Sequence, residues 1–199
     1  MTGSADTDFA FADAVHDAQR IFRTAMQALA RPGSIHPLAG LASAPAPLMP
    51  AANALILALA DHETPLWLDA PLVHSQGVID HLRFQTGARI VSSARDATFA
   101  LASDPRTCPR LDELSLGSPA YPDRSTTLIL QVEHLEAGRG WRLSGPGIRG
   151  ETRLLAGPVP RHLNAMLAES RALFPRGLDV LLATPDAIAA LPRSTRVAE

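Results

Sequence analysis

Four apolar runs in this chain, at 64–69, 98–102, 127–132 and 178–183, lack the alternation of a half-exposed strand. A strand wetted on one face alternates apolar with polar residues, so runs of this kind are expected to be covered on both faces. Helical periodicity fills the intervals. Asp13 is placed to cap a helix whose apolar positions Val15, Ala18, Phe22, Met26 and Leu29 fall three and four residues apart, and Pro32-Gly33 ends it. Further helices are predicted at 51–60, near 74–84 and at 161–173, with additional strands at 88–92, 125–134, 140–144 and 151–155. Residues 178–183 read as the last strand, and the prolines between 45 and 50 mark a surface loop. Strands alternating with helices predict an α/β fold, a mixed sheet with helices on both faces. A chain of 199 residues fits one domain, expected here over 13–199 behind a flexible segment at 1–12.

Charge and cysteine usage remove several kinds of chemistry. All 18 basic side chains counted as Lys or Arg are arginine. Without lysine there is no amine to form a pyridoxal phosphate Schiff base and no Walker-type lysine to reach nucleotide phosphates. The single cysteine, Cys108, excludes an internal disulfide, a cysteine-ligated cluster and a cysteine-based zinc site. A formal net charge of −2 gives no global basic field, so nucleic acid is not an expected partner. The longest apolar run, 51–60 and interrupted by Asn53, is about half of what a spanning helix needs, and no membrane association is expected. The first residues carry Asp6 and Asp8 rather than a basic, apolar leader, and the expected location is the cytoplasm.

The local motifs are suggestive singly. Gly-Pro-Gly-Ile-Arg-Gly at 145–150 matches a dinucleotide fingerprint by letter, but a strand pattern follows it where a helix is required, so the glycines read as a turn. That turn leaves backbone N–H groups free to meet a phosphate. Asp61-His62-Glu63 reads either as a solvated helix end, with Asp61 and Thr64 holding the turn, or as an acid-base group. Trp67 reads as core packing or as a flat face for adenine, and Arg83 as a helix-end cap or a ligand contact. Arg176 and Arg193 each stand at the edge of an apolar strand, where a guanidinium can clamp phosphate oxygens or pair with Asp179. Histidines are scattered without ligand spacing, so no metal site is assigned.

The order of several segments resembles one family. Thr127-Leu-Ile-Leu-Gln-Val132, Arg142-Leu-Ser-Gly-Pro-Gly-Ile148, Phe174-Pro-Arg-Gly-Leu-Asp179 and Leu191-Pro-Arg-Ser-Thr195 follow one another as in the PhnH family, a component of the bacterial carbon-phosphorus lyase system for phosphonate degradation. The amino-terminal half agrees, with Phe22-Arg23 before Arg31-Pro-Gly33, Leu59-Ala-Asp61 before Thr64-Pro-Leu-Trp67, and Leu82-Arg-Phe-Gln-Thr86. The resemblance implies a three-layer α/β/α sandwich similar to the large domain of pyridoxal phosphate-dependent transferases, without that cofactor. It also implies a homodimer that joins the G, I, J and L subunits of the system in phosphonate catabolism. The step that this subunit shares with G, I and L transfers a phosphonate to the ribose C1 of ATP and releases adenine, giving a ribose 1-phosphonate 5-triphosphate. Asp61, Trp67, Arg83, Arg193 and Thr195 are the substrate-binding candidates, and no catalytic residue is identified. Two alternatives stay open: a non-catalytic dimer that scaffolds the complex, and an independent nucleotide-binding enzyme. Radical cleavage of the carbon-phosphorus bond is excluded for this chain by its cysteine count.

Overall fold

A computed structural model describes residues 10–198. Most of the predicted flexible segment therefore lies outside the described residues. Helix α1 (Ala14–Ala30) starts where predicted, with the Asp13 side chain accepting from the amides of Val15 and His16. Its buried face differs from the predicted stripe. Ile21, Ala25 and Ala28 turn inward, while Val15, Phe22 and Met26 are 75%, 47% and 39% exposed. The helix carries apolar residues on two faces, and the small residues win the inner one because it lies close against α2 (Pro50–Leu59).

After α1, β1 (His36–Pro37) forms a short edge, and β2 (Leu66–Leu68) follows α2. Then come α3 (Ala70–Val73), α4 (Gln76–Thr86), β3 (Ile90–Val91), β4 (Phe99–Ala102) and β5 (Thr127–Gln131). A hairpin of β6 (His134–Ser144) and β7 (Thr152–Gly157) precedes α5 (Leu163–Ala172), and β8 (Asp179–Ala183), β9 (Ala187–Leu191) and β10 (Arg196–Ala198) complete the order. The main sheet has seven strands in the order β1-β9-β8-β5-β4-β2-β3. Strands β3, β2, β4, β5 and β8 are parallel, whereas β8 with β9 and β9 with β1 pair antiparallel. The α/β class and the mixed sheet are as expected.

Helices lie on both faces of the sheet, which are covered unequally. One face of the sheet is covered by α1, α2 and α4, whose Ile21, Leu55, Ile56, Val78 and Leu82 meet Leu66, Leu101, Ile129 and Leu181. Among the described residues, the other face carries α5 as its one α-helix, and most of the rest of it is covered by a separate antiparallel sheet, β10-β6-β7. Trp141, Leu143 and Leu154 of that small sheet pack with Met166 and Leu167 of α5 against Leu128, Leu130, Val180 and Leu182. This explains why the predicted 125–134 strand breaks in two. β5 belongs to the main sheet, and the chain leaves it after Gln131 so that β6 can enter the second one. β9 and β10 lie beyond the expected last strand.

Two polar devices fix the elements around the parallel strands. Gln131 at the end of β5 accepts from the Met49 amide at 2.7 Å and donates to the Pro47 carbonyl at 3.1 Å, which pins the proline-rich loop to the sheet. Asn53, the one polar break in α2, accepts from Nε2 of His81 at 2.8 Å, so two helices share a satisfied polar contact. The glycine-rich turn at 145–150 joins β6 to β7, as its strand context predicts. Gly147 has φ of 81°, and a Cβ there would collide with the Ala30 carbonyl, so glycine lets this turn lie against the end of α1.

Candidate functional site

In open sheets with parallel strands, ligands collect beyond the carboxyl ends of strands whose connections depart in opposite directions. Here those neighbours are β2, which leads toward β3 at one edge, and β4, which leads toward β5. A carboxylate fills that point. Asp69, fully buried, follows β2 directly and accepts from the Ser103 amide at 2.7 Å, the Asp104 amide at 2.9 Å and the Thr107 hydroxyl at 2.8 Å. Ser103 Oγ and the Leu72 amide add bonds at 3.0 and 3.4 Å, the second of them capping α3. The post-β4 loop is therefore tied to the post-β2 helix by one side chain. Asp69 is not among the predicted site residues, although an Asp before Ala-Pro at the end of an apolar run is a helix-start signal.

Beside this knot, on the face of the sheet that holds α5, a cleft of about 870 Å³ opens beyond the end of edge strand β3. Trp67 of β2, half-buried, lies against the core under it. Three arginines line the cleft: Arg95 from a 3-10 turn (Ala94–Asp96), Arg106 from the tied loop, and Arg110. Arg95 donates to the Asp112 carbonyl. Arg106 forks onto Asp104, with Nη2 2.6 Å from Oδ2, and this bond holds the Asp104 carboxyl below its ordinary pKa. The Arg110 backbone amide donates to Glu113 Oε2 at 2.7 Å. Asp112, Glu113 and His162 complete the polar rim, and Nε2 of His162 donates to the Pro109 carbonyl at 3.2 Å.

The cleft also contains Cys108, but not as a nucleophile. Burial first, then the nearby charges of Asp69 and Glu113, push its thiol up to about 12. It stays protonated near neutrality, where thiolate chemistry requires ionisation. Among the described residues, no group of three or more His, Cys, Asp or Glu side chains is arranged to hold a metal ion.

Of the five predicted binding residues, the structure places only Trp67 in this cleft. Asp61 lies at the opposite end of β2, where Oδ1 accepts from the Glu63 amide at 2.9 Å and the Thr64 hydroxyl at 2.7 Å. Those bonds, the hydroxyl one foremost, lower its carboxyl pKa, and they make the turn that the solvated-helix-end reading describes. Arg83 is exposed on α4, on the other side of the sheet. Arg193 is committed to protein acceptors: Asp179, Ser125 and the carbonyls of Pro122 and Pro175. Thr195 is buried nearby with its hydroxyl unpaired. Nothing in the sequence spacing of Arg95, Arg106 and Arg110 separates them from the other arginines, so only the folded chain reveals them as a group.

The frame is that of an α/β protein with an arginine-lined cleft beside a plugged strand crossover. Residues 9–198 match the bacterial phosphonate metabolism protein family PhnH, and the chain belongs to that family. It is 39% identical over 188 residues to the alpha-D-ribose 1-methylphosphonate 5-triphosphate synthase subunit PhnH of Rhizobium meliloti (strain 1021), covering 94% of each chain. It is also 30% identical over 179 residues to HtxG of Stutzerimonas stutzeri, a protein provisionally named a C-P lyase subunit, covering 90% of this chain and 85% of that one.

Proposed function

We propose that this protein is a subunit of a cytoplasmic carbon-phosphorus lyase assembly, and that it helps transfer a phosphonate to the ribose C1 of ATP. The observation that carries this reading is the 39% identity, along 94% of both chains, to a ribose 1-methylphosphonate 5-triphosphate synthase subunit. In the reaction a phosphonate oxygen bonds to C1, the glycosidic C–N bond breaks, and adenine leaves with that electron pair and a proton. Charge develops at an oxocarbenium-like carbon while the triphosphate must be held still. The cleft offers parts suited to the holding. The Trp67 indole presents a face to adenine, and Arg95, Arg106 and Arg110 are placed for phosphate oxygens. Other groups of the assembly, from the G, I and L subunits, supply what this chain lacks for the transfer, and J is a further partner. Asp61 and Arg193 take turn-holding roles in this reading, and Arg83 is left for contact with a partner. The frame is that of a pyridoxal phosphate-dependent transferase large domain turned to another use, with no covalent cofactor.

The reading is tested by co-purifying the chain with its partner subunits and assaying adenine release with and without it. Trp67→Ala should weaken ATP use by the assembled complex by roughly 1–3 kcal/mol, the range for base-aromatic stacking. An unchanged KM for ATP in an intact complex would remove the cleft from the reading, and adenine release that ignores the chain altogether would favour a scaffold. Activity in the purified chain alone would select the independent enzyme.

The proposed homodimer has a candidate surface on α1. Phe22 and Met26, one turn apart, leave an apolar stripe facing outward, and a second copy offers the same stripe about a two-fold axis. Phe22→Glu should convert a sedimenting dimer to a monomer with little change in melting temperature. A wild-type monomer, or a Phe22→Glu dimer, would rule out this interface.

A further inference from the structure

We propose that the outward face of the small sheet β10-β6-β7 is a docking surface for an acidic patch on another subunit of the assembly, with Arg142, Arg153 and Arg196 as its cations. The register brings these three together. Trp141, Leu143 and Leu154 turn inward to the core, so their strand neighbours Arg142 and Arg153 point outward. Arg142 and Arg153 are direct cross-strand partners, and Ser144, on the same face as Arg142, stands opposite Arg196. All three arginines are exposed. Directly opposed side chains are about 5 Å apart at Cβ and diagonal ones about 7–8 Å, so the guanidinium groups form one patch.

Like charges set directly opposite each other destabilise a sheet, and the chain itself does not offset them. Among the described residues none of the three arginines is in an ion pair. Of the nearest carboxylates, Glu136 pairs with Arg139 at 3.5 Å, and Glu151 lines a cavity with Arg31 and Arg149. In a chain of net charge −2 this gathers positive charge on one face. A second copy docked there about a two-fold axis would set arginines against arginines. Three cations without a wider basic field are also too few for a nucleic-acid surface. An acidic protein surface is the complement, because a carboxylate accepts a guanidinium fork bidentately. Phe174 adds an apolar anchor at the end of the face. It is 63% exposed and shares a shallow cavity of about 230 Å³ with Pro146, just past β6, and Ser194, just before β10. Aromatic and arginine side chains are the types enriched at protein interfaces. That the partner comes from this assembly rests on the proposed function.

The test measures binding of the full chain to the G, I, J and L subunits, purified together without it, over a range of salt concentrations. Wild-type affinity should fall as salt rises. Arg142→Glu should weaken binding by about tenfold or more and flatten that dependence. The melting temperature of the isolated chain should hold or rise in this variant, because the new carboxylate meets Arg153, whereas loss of a merely structural arginine would lower it. Phe174→Ala should weaken binding alike at every salt concentration. In the assembled complex Arg142, Arg153 and Arg196 should resist the phenylglyoxal that modifies them in the free chain. If the Arg142→Glu protein binds as the wild type does, or the three arginines are modified equally in both states, this surface is overturned while the proposed function stands. Tight binding of duplex DNA by the isolated chain, lost in Arg142→Glu, would overturn the acidic-protein assignment. A chain that never joins the other subunits overturns the surface and the proposed function together.

Discussion

An Arg193→Ala protein should melt roughly 6–12 °C below the wild type, while ligand affinity in the folded fraction stays unchanged. The reason is how much of the guanidinium is already used. Its Nη2 lies 2.5 Å from Asp179 Oδ2 and 2.6 Å from Ser125 Oγ, and its Nε is 3.2 Å from both Asp179 oxygens. Nη1 donates to the Pro122 carbonyl at 2.8 Å, and the Arg193 backbone amide reaches Asp179 Oδ1 at 2.8 Å. One side chain thus joins the entry to β5, the first residue of β8 and the turn after β9. With side-chain exposures of 14% and 22%, the Arg193–Asp179 pair is mostly out of water. Truncating one partner strands the other, at a cost of about 3 kcal/mol. Arg193→Lys should recover only part of the loss, because a point charge cannot reproduce the fork. A normal melting temperature with weakened nucleotide use would reverse the assignment and return Arg193 to the binding site.

This residue illustrates what the sequence could and could not disclose. That an arginine after Leu191-Pro pairs with Asp179 or meets a phosphate was readable from residue types alone, but the choice depends on which acceptors the fold delivers. Pro122, Ser125 and Pro175 come from distant parts of the chain, and no local pattern announces them. The same limit governs the site as a whole. Trp67, open in the sequence to core packing or to a flat face for adenine, does line the cleft, whereas Arg95, Arg106 and Arg110 become a group only when a 3-10 turn and two loops meet at one edge of the sheet.

For the fold, periodicity was reliable where burial is two-sided. β4, β5, β8, α2 and α5 fall close to their expected positions, because near-continuous apolar runs and long helical repeats carry strong signals. The second sheet is legible only in part: the strands expected at 140–144 and 151–155 fall within β6 and β7, but not the first half of β6 or β10. β6 is mostly exposed along its first half and skips register between Ala137 and Trp141, so it shows no clean alternation. β10 is three residues long and is held by pairing with β6. In α1 the helical period is as expected but the inward face differs, because alanines rather than large apolar residues permit close approach to α2. Phe22 and Met26 are left on the outer face.

The largest destabilisation is expected at Asp69. Asp69→Ala removes a fully buried carboxylate and leaves the Ser103 and Asp104 amides and the Thr107 hydroxyl without their acceptor. Charge-assisted bonds of this kind are individually worth about 1.5–3 kcal/mol, and because they share one group their loss is not additive. A total near 4 kcal/mol is a reasonable magnitude, a large part of the roughly 5–15 kcal/mol that holds a domain folded. Asp69→Asn should recover little, since half of its amide presents donors to donors. The loss should also be local in character: the amides of Ser103 and Asp104 should exchange with solvent fast, and the loop carrying Arg106 should no longer be held beside Trp67. Nucleotide affinity of the assembled complex should then fall along with stability, which separates Asp69 from Arg193, where stability alone should move. Thr107→Val, which removes one donor and leaves the other bonds in place, should cost only about 1 kcal/mol. Wild-type exchange protection at residues 103 and 104 in an Asp69→Ala protein would show that the loop holds itself and that the carboxylate is not its anchor.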